Sequence, residues 1–158
     1  MDIVERVHNE LLRRKKTLAL AESCTGGALA ARITAIPGAS QFFLGSIVAY
    51  ANAWKEKLLG VSSITLKDKG AVSRETVEEM VLGLLERTEA DYGIAISGIA
   101  GPGGATCDRP VGTVYIAIAQ RGQKVDVERI EIPKSRLQII EATVDAALIL
   151  LWRRLCIN

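Results

Sequence analysis

A short apolar run, Thr17-Leu18-Ala19-Leu20-Ala21, lies between a basic stretch (Arg13 to Lys16) and a glycine-rich one (Glu22-Ser23-Cys24-Thr25-Gly26-Gly27), and it limits the possible folds more than any other feature. A strand with one wet face alternates apolar and polar residues, whereas an unbroken apolar run is a strand covered on both faces. Such a strand sits inside a sheet that carries helices on either side, so the flanking sequence should supply helices.

It does. Asp2 is placed to cap a helix in which Ile3, Val4, Val7, Leu11 and Leu12 recur at 3.6-residue spacing, with Arg13 to Lys16 as its basic end. Residues 26–35 read as a second helix, stopped by Pro37-Gly38. Residues 42–50 form a second strand candidate, and Ala53 to Leu59 a short helix with Asn52 as cap and Gly60 as terminator. Ser73 caps a longer helix that buries Val77, Met80, Val81, Leu84 and Leu85 and carries Glu75 in its first turn. Strands follow at residues 92–97, 112–120 and 124–132, the last two joined through Gly122 as an antiparallel hairpin. An apolar stripe from Leu137 through Ile140, Val144, Ala147, Leu148 and Leu151 to Leu155 marks the final helix. Together these elements predict a single three-layer α/β/α domain over residues 1–158, around a mixed, mostly parallel sheet of about five strands.

Composition narrows the function class. The 158 residues are 49% hydrophobic and 24% charged, which gives one globular core rather than disorder. The net charge of +2 provides no strong field for nucleic acid or an anionic membrane, so neither is expected as a partner. The charged N-terminus does not resemble a secretory signal, and the apolar run from Ala146 to Trp152 is too short to cross a bilayer. A cytoplasmic protein is expected. The three cysteines, Cys24, Cys107 and Cys156, lack the spacing of a thiolate zinc site and are odd in number. The single histidine, His8, has polar neighbours that suggest a surface position on the first helix, so a catalyst in this chain would not use histidine.

Two glycine-rich segments directly follow strands, where α/β sheets bind their ligands. Glu22 to Gly27 opens a helix and offers backbone N–H groups, a favourable dipole, two hydroxyls and a thiol. A phosphate site, an oxyanion hole or a nucleophile would each suit it, as would the plainer role of Ser23 or Thr25 as a helix cap. Walker, GxGxxG and GxSxG signatures are all absent. The second segment, Ser97-Gly98-Ile99-Ala100-Gly101-Pro102-Gly103-Gly104, is either a flexible connection or a second wall of the same crevice. A nucleophilic Ser23 would need a base, and Lys55 and Lys57 stand just past the second strand with Tyr50 as a hydrogen-bond donor. Lysine serves as a base when burial or a nearby cation lowers its pKa. Cys24 competes as nucleophile but reads better as a buried, inert thiol.

Five segments in this order are shared with a known family. They are Ala21 to Gly27, Tyr50-Ala51-Asn52-Ala53-Trp54-Lys55, Gly70-Ala71-Val72-Ser73, Ile96 to Pro102 and Pro110-Val111-Gly112-Thr113-Val114. Through them the chain resembles, from about Val4 to Leu155, the CinA C-terminal domain family, the nicotinamide-nucleotide amidases. The resemblance implies hydrolysis of nicotinamide mononucleotide to nicotinic acid mononucleotide and ammonia, a step of pyridine-nucleotide salvage, with no metal or organic cofactor. It implies Ser23 as nucleophile and Lys55 as base, with Tyr50 and Ser97 orienting groups or relaying a proton. It further implies that Glu22, Cys24, Thr25, Gly26 and Gly27 in the first segment contact substrate, together with Gly98, Gly101, Thr113 and Arg136 beyond it. The family's Gly-Asp-Arg-like stretch before the last helix is Lys134-Ser135-Arg136 here, so only the arginine is kept, and Ala105 stands where glycine is common. The competing expectation is a non-catalytic module that binds a nucleotide or a partner protein. A stand-alone form and association into a homodimer or higher homo-oligomer are both expected of so small a domain.

Overall fold

The computed structural model describes residues 1–157, so Asn158, the last residue of the expected domain, lies outside the described residues. The element order is α1 (Ile3–Arg14), β1 (Leu18–Glu22), α2 (Ala28–Thr34), a 3-10 turn (Ala39–Gln41), β2 (Phe43–Val48), α3 (Asn52–Leu59), α4 (Ser63–Asp68), α5 (Arg74–Arg87), β3 (Tyr92–Gly98), β4 (Thr113–Gln120), β5 (Asp126–Glu131) and α6 (Arg136–Ile157). The strands form one sheet in the order β2-β1-β3-β4-β5. The first three are mutually parallel, β4 runs against β3, and β5 against β4. Four of the five therefore point the same way, and β1, flanked by β2 and β3, is buried along its whole length as the apolar run predicted, although it extends through Glu22 rather than ending at Ala21.

Residue size sorts the two faces of this sheet. Leu18 and Leu20 of β1, Ile94 and Ile96 of β3, and Val114, Ile116 and Ile118 of β4 pack with the buried faces of α1, α2 and α6. The alternate positions, Ala19, Ala21, Ala95, Ala117 and Ala119, pack with α5 and α3. The small side chains bring α5 close: a Cβ on Gly93 would meet Val81 at 3.1 Å and Leu85 at 3.3 Å. Each fully buried Leu or Ile on these faces contributes about 1.5–3 kcal/mol, so the sheet-centred core is the main source of stability.

The helix ends follow local chemistry. Asp2 accepts from the Ile3 N–H at 2.7 Å, and Glu5 accepts in return from the Asp2 N–H at 3.2 Å. This is the reciprocal capping arrangement. Ser73 accepts from the Thr76 N–H at 3.1 Å at the start of α5. Three local expectations are corrected. Asn52 does not cap α3, because the cap position falls on Ala51 and no side chain bonds there. Neither Ser23 nor Thr25 caps α2, whose cap is Gly27 at φ 102. His8 is buried rather than exposed, its ring edge-on to Phe42 with centroids 5.0 Å apart. The helix α4 had no apolar stripe to announce it, and it buries no residue. Among the described residues, no helix is long and apolar enough to cross a membrane.

Candidate active site

Because β2, β1 and β3 are parallel neighbours, their carboxyl ends share one edge of the sheet, with Glu22 opposite both Val48 and Ile96. The chain leaving those ends carries the three segments that hold the candidate chemistry. They enclose a cleft of about 300 Å³ with Ser23 and Cys24 after β1, Tyr50, Asn52 and Lys55 after β2, and Ser97 through Gly101 with Gly103 and Gly104 from β3 and its loop. Ala71 and Val72, ahead of α5, and Arg136, at the start of α6, complete its rim. Volume alone does not select this cleft. A hollow of about 310 Å³ lies between β5 and the end of α6, and one of about 490 Å³ between α2 and α6. Neither of those is lined by serine, cysteine, lysine or histidine.

Ser23 is nearly buried, at 7% exposed, and sits where β1 breaks into the turn before α2. Its N–H donates to the Ile96 carbonyl at 3.1 Å, and its carbonyl accepts from Gly26 N–H at 3.0 Å. The side chain thus leaves a backbone held on two sides. Cys24 beside it is buried against the β3 turn, since a Cβ on Gly98 would come within 3.1 Å of its Sγ. Burial foremost, then the neighbouring Glu22 carboxylate, pushes the Cys24 thiol up to about 12. It is a neutral, inert group, as its sequence context suggested.

Lys55 is only 1% exposed, unusual for a lysine. The cause is local: α3 starts at Asn52 and turns Lys55 inward beside Leu59, while Trp54 and Glu56 face out. Its Nζ donates to the Tyr50 carbonyl at 2.9 Å. Burial holds the Lys55 ammonium below its ordinary 10.5, and the charge of a Cys24 thiolate is what opposes this. Since that thiol stays neutral, burial decides the direction. Lys57, the other lysine considered from sequence, is exposed and does not line the cleft.

Tyr50 is 58% exposed, and its hydroxyl accepts from Arg136 Nη2 at 3.1 Å. Arg136 Nη1 donates to the Gly101 carbonyl at 2.6 Å, so one guanidinium spans the cleft from the β2 side to the β3 side. Ser97 is buried to 1% at the end of β3. Among the described residues, Lys55 and Arg136 are the ionisable basic side chains lining the cleft, and no carboxylate lines it.

Of the residues expected in the site, Ser23, Cys24, Tyr50, Lys55, Ser97, Gly98, Gly101 and Arg136 are brought together. Glu22, Thr25, Gly26, Gly27 and Thr113 do not line the cleft. The Glu22 carboxylate, although on β1, turns to α2: Oε1 accepts from the Leu29 N–H at 3.0 Å and the Thr25 hydroxyl at 2.7 Å. Its Oε2 accepts from the Ala30 N–H at 3.2 Å and the Ser46 hydroxyl at 2.8 Å. Those bonds occupy the helix N-terminus that the sequence offered to a phosphate. The Thr113 hydroxyl donates to the Pro110 carbonyl at 2.6 Å and holds the base of the β3–β4 loop. Asn52, read from sequence as a cap, lines the cleft instead, and so do Ala71 and Val72. Their shared segments with the family were the available signal.

An α/β domain with a polar cleft at the ends of three parallel strands is the class that fold and site define. The comparisons with known proteins supply the family. The CinA C-terminal domain model matches residues 1–155, and the chain belongs to that family. It is 49% identical over 145 residues to a CinA-like protein of Endomicrobium trichonymphae, covering 92% of this chain and 34% of that protein. With a CinA-like protein of Thermotoga sp. strain RQ2 the identity is 55% over 116 residues, covering 73% of this chain and 28% of that one. The chain therefore spans about a third of the length of the curated relatives it matches. Among solved structures, a CinA superfamily protein from Klebsiella pneumoniae superimposes with a TM-score of 0.94 at 35% identity, covering 99% of this chain and 97% of the other. A competence/damage inducible protein from Agrobacterium tumefaciens gives 0.91 at 37% identity, covering 96% and 94%.

Proposed function

We propose that the domain is an amidohydrolase that converts nicotinamide mononucleotide to nicotinic acid mononucleotide and ammonia, with Ser23 as nucleophile and Lys55 as general base. The observation that carries this is the buried Lys55, its pKa lowered by burial, lining one cleft with Ser23 and Arg136. A base effective near neutral pH must be uncharged there, and burial is the way a lysine gets there without histidine.

In the proposed reaction neutral Lys55 takes the Ser23 proton as Oγ attacks the carboxamide carbon. The tetrahedral oxyanion is held by backbone N–H groups of the two glycine-rich turns. Ser23 and Gly26 have already committed theirs to the Ile96 and Ser23 carbonyls, so the donors come from elsewhere in those turns. The Lys55 ammonium then returns its proton to the departing nitrogen, ammonia leaves, and an ester on Ser23 remains. Water attacks that ester, giving its proton to Lys55, and the nicotinate carboxylate is released as Ser23 is restored. Tyr50 positions Lys55 through its carbonyl, and Ser97 supplies a hydroxyl for the proton relay. Arg136 is the contact for the substrate phosphate, since its side chain is the exposed cation of the cleft.

The test is ammonia release from nicotinamide mononucleotide, with the product identified by mass. Equal amounts of ammonia and nicotinic acid mononucleotide are expected, whereas no release at micromolar enzyme would overturn the proposal.

A further inference from the structure

Glu22 is fully buried, adjacent to Ser23, and makes no ion pair among the described residues. Its four bonds are all accepted from neutral donors, and they come from three places: the first turn of α2, the Thr25 hydroxyl of the turn, and Ser46 of β2. The helix it caps has only Gly27 at its own cap position and so cannot cap itself. Backbone N–H groups at a helix start are left without intrahelical acceptors, and the Glu22 oxygens supply them. The strand's alternation matters too. Glu22 shares the face of Leu18 and Leu20, toward α2, and is the last residue of β1, so the turn begins at Ser23. A side chain at the end of β1 therefore anchors the turn that carries the Ser23 hydroxyl.

We infer that Glu22 is a positioning residue for the Ser23 hydroxyl, locking β1, β2 and α2 together from behind the cleft, and is not a substrate contact. This rests on the reading of Ser23 as nucleophile. The backbone around Ser23 is pinned at its N–H by Ile96 and at its carbonyl by Gly26. The remaining freedom of the turn lies in Thr25 and the start of α2, and those are what Glu22 holds. Glutamine preserves the volume but puts an NH2 group where one carboxylate oxygen stood. Whichever way the amide is turned, that NH2 meets a main-chain N–H of Leu29 or Ala30, and at least one cap bond is lost.

The experiment compares wild type with Glu22→Gln in two assays: steady-state hydrolysis of nicotinamide mononucleotide, and the rate at which a fluorophosphonate labels Ser23, followed by intact mass. A shift of the turn by a fraction of an ångström should lower kcat and the labelling rate by about 10- to 100-fold. KM should stay within about threefold, because no Glu22 atom reaches the cleft. A raised KM with kcat retained would overturn the inference in favour of substrate contact. Unchanged kcat and labelling in a folded but less stable variant would overturn it in favour of a purely structural role. Should Glu22→Gln fail to fold, the double variant Thr25→Val, Ser46→Ala strips two donors from the same carboxylate and should slow labelling several-fold; equal labelling refutes the inference. If wild type labels at Ser23 but releases no ammonia, the substrate reading fails and the label rates still decide the role of Glu22. If it does neither, Ser23 is no nucleophile and the inference falls with it.

Discussion

The turn after β1 and the loop after β3 are both rich in glycine and both border one cleft, yet they are held in opposite ways. In the first, Ser23, Cys24 and Thr25 are all buried, and the Glu22 carboxylate ties the turn to a helix and a neighbouring strand. In the second, Pro102 through Asp108 are exposed. That loop is fastened at its margins, by Arg136 on the Gly101 carbonyl, by the Thr113 hydroxyl on Pro110, and by a tight turn between Thr106 and Arg109. Glycine content alone therefore does not define a loop's work. The first turn offers a buried hydroxyl held by its neighbours, and the second an exposed wall held mainly through its backbone carbonyls.

If that contrast is right, disturbing the first turn or its buried lysine should change turnover, and disturbing the second should change affinity or stability but leave turnover largely as it was. The largest effect is expected from Lys55→Met, which keeps an apolar stem in the same space but removes the base. Its kcat should fall by about 10²- to 10⁴-fold, measured by steady-state ammonia release. The wild-type rate should also rise with pH through the Lys55 pKa, which burial places below 10.5. Between that folded value and 10.5 the unfolded chain holds the proton that the folded protein has given up, so stability rises with pH across the same window. Denaturant midpoints of Lys55→Met should lack this rise.

Arg136→Ala cuts the strap across the cleft and removes its exposed cation. A charge-assisted contact of roughly 1.5–3 kcal/mol predicts a KM raised about 10- to 100-fold, with kcat much less altered. Gly98→Ala should act on stability, because its Cβ would stand 2.7 Å from Val114 Cγ2 and 3.0 Å from the Thr113 carbonyl. A cost of about 1–3 kcal/mol by urea titration is expected. The smallest effect belongs to Gly103→Ala, where a Cβ meets nothing within 4 Å. Stability should stay within about 0.5 kcal/mol and the kinetics unchanged; a large loss there would mean the second loop is as fixed as the first.

Much of the architecture was legible because it is written in local patterns. The apolar run of β1 announced a strand covered on both faces, and the stripe of α6 announced its buried face from Val144 to Leu155; at the start of that helix the expectation fails, since Leu137 is 73% exposed and Ile139 turns inward in place of Ile140. What stayed hidden depended on partners distant in the chain. His8 looked exposed among polar neighbours, but Phe42 folds back to cover its ring. Asn52 had the local chemistry of a cap, and apart from the segment it shares with the family nothing in its sequence neighbourhood placed it at the cleft. Glu22 read as one more polar group of a ligand loop, since the Ser46 hydroxyl and the Leu29 and Ala30 N–H groups that claim it are unrelated to its neighbours in sequence. The buried, inert Cys24 was within reach from its apolar context, whereas the residues alone left Lys55 and Lys57 open, and only the family resemblance pointed to Lys55, whose burial comes from the inward face of α3. The missed helix α4 buries nothing, so no periodicity could reveal it.

The central claim is that the fixed turn supplies the nucleophile, and the most direct test is ammonia release from nicotinamide mononucleotide by wild type and Ser23→Ala, each confirmed folded by circular dichroism. The account predicts steady release by wild type and a Ser23→Ala rate at the level of the blank. Near wild-type release by Ser23→Ala would contradict it, and would return Ser23 to an ordinary place in a turn.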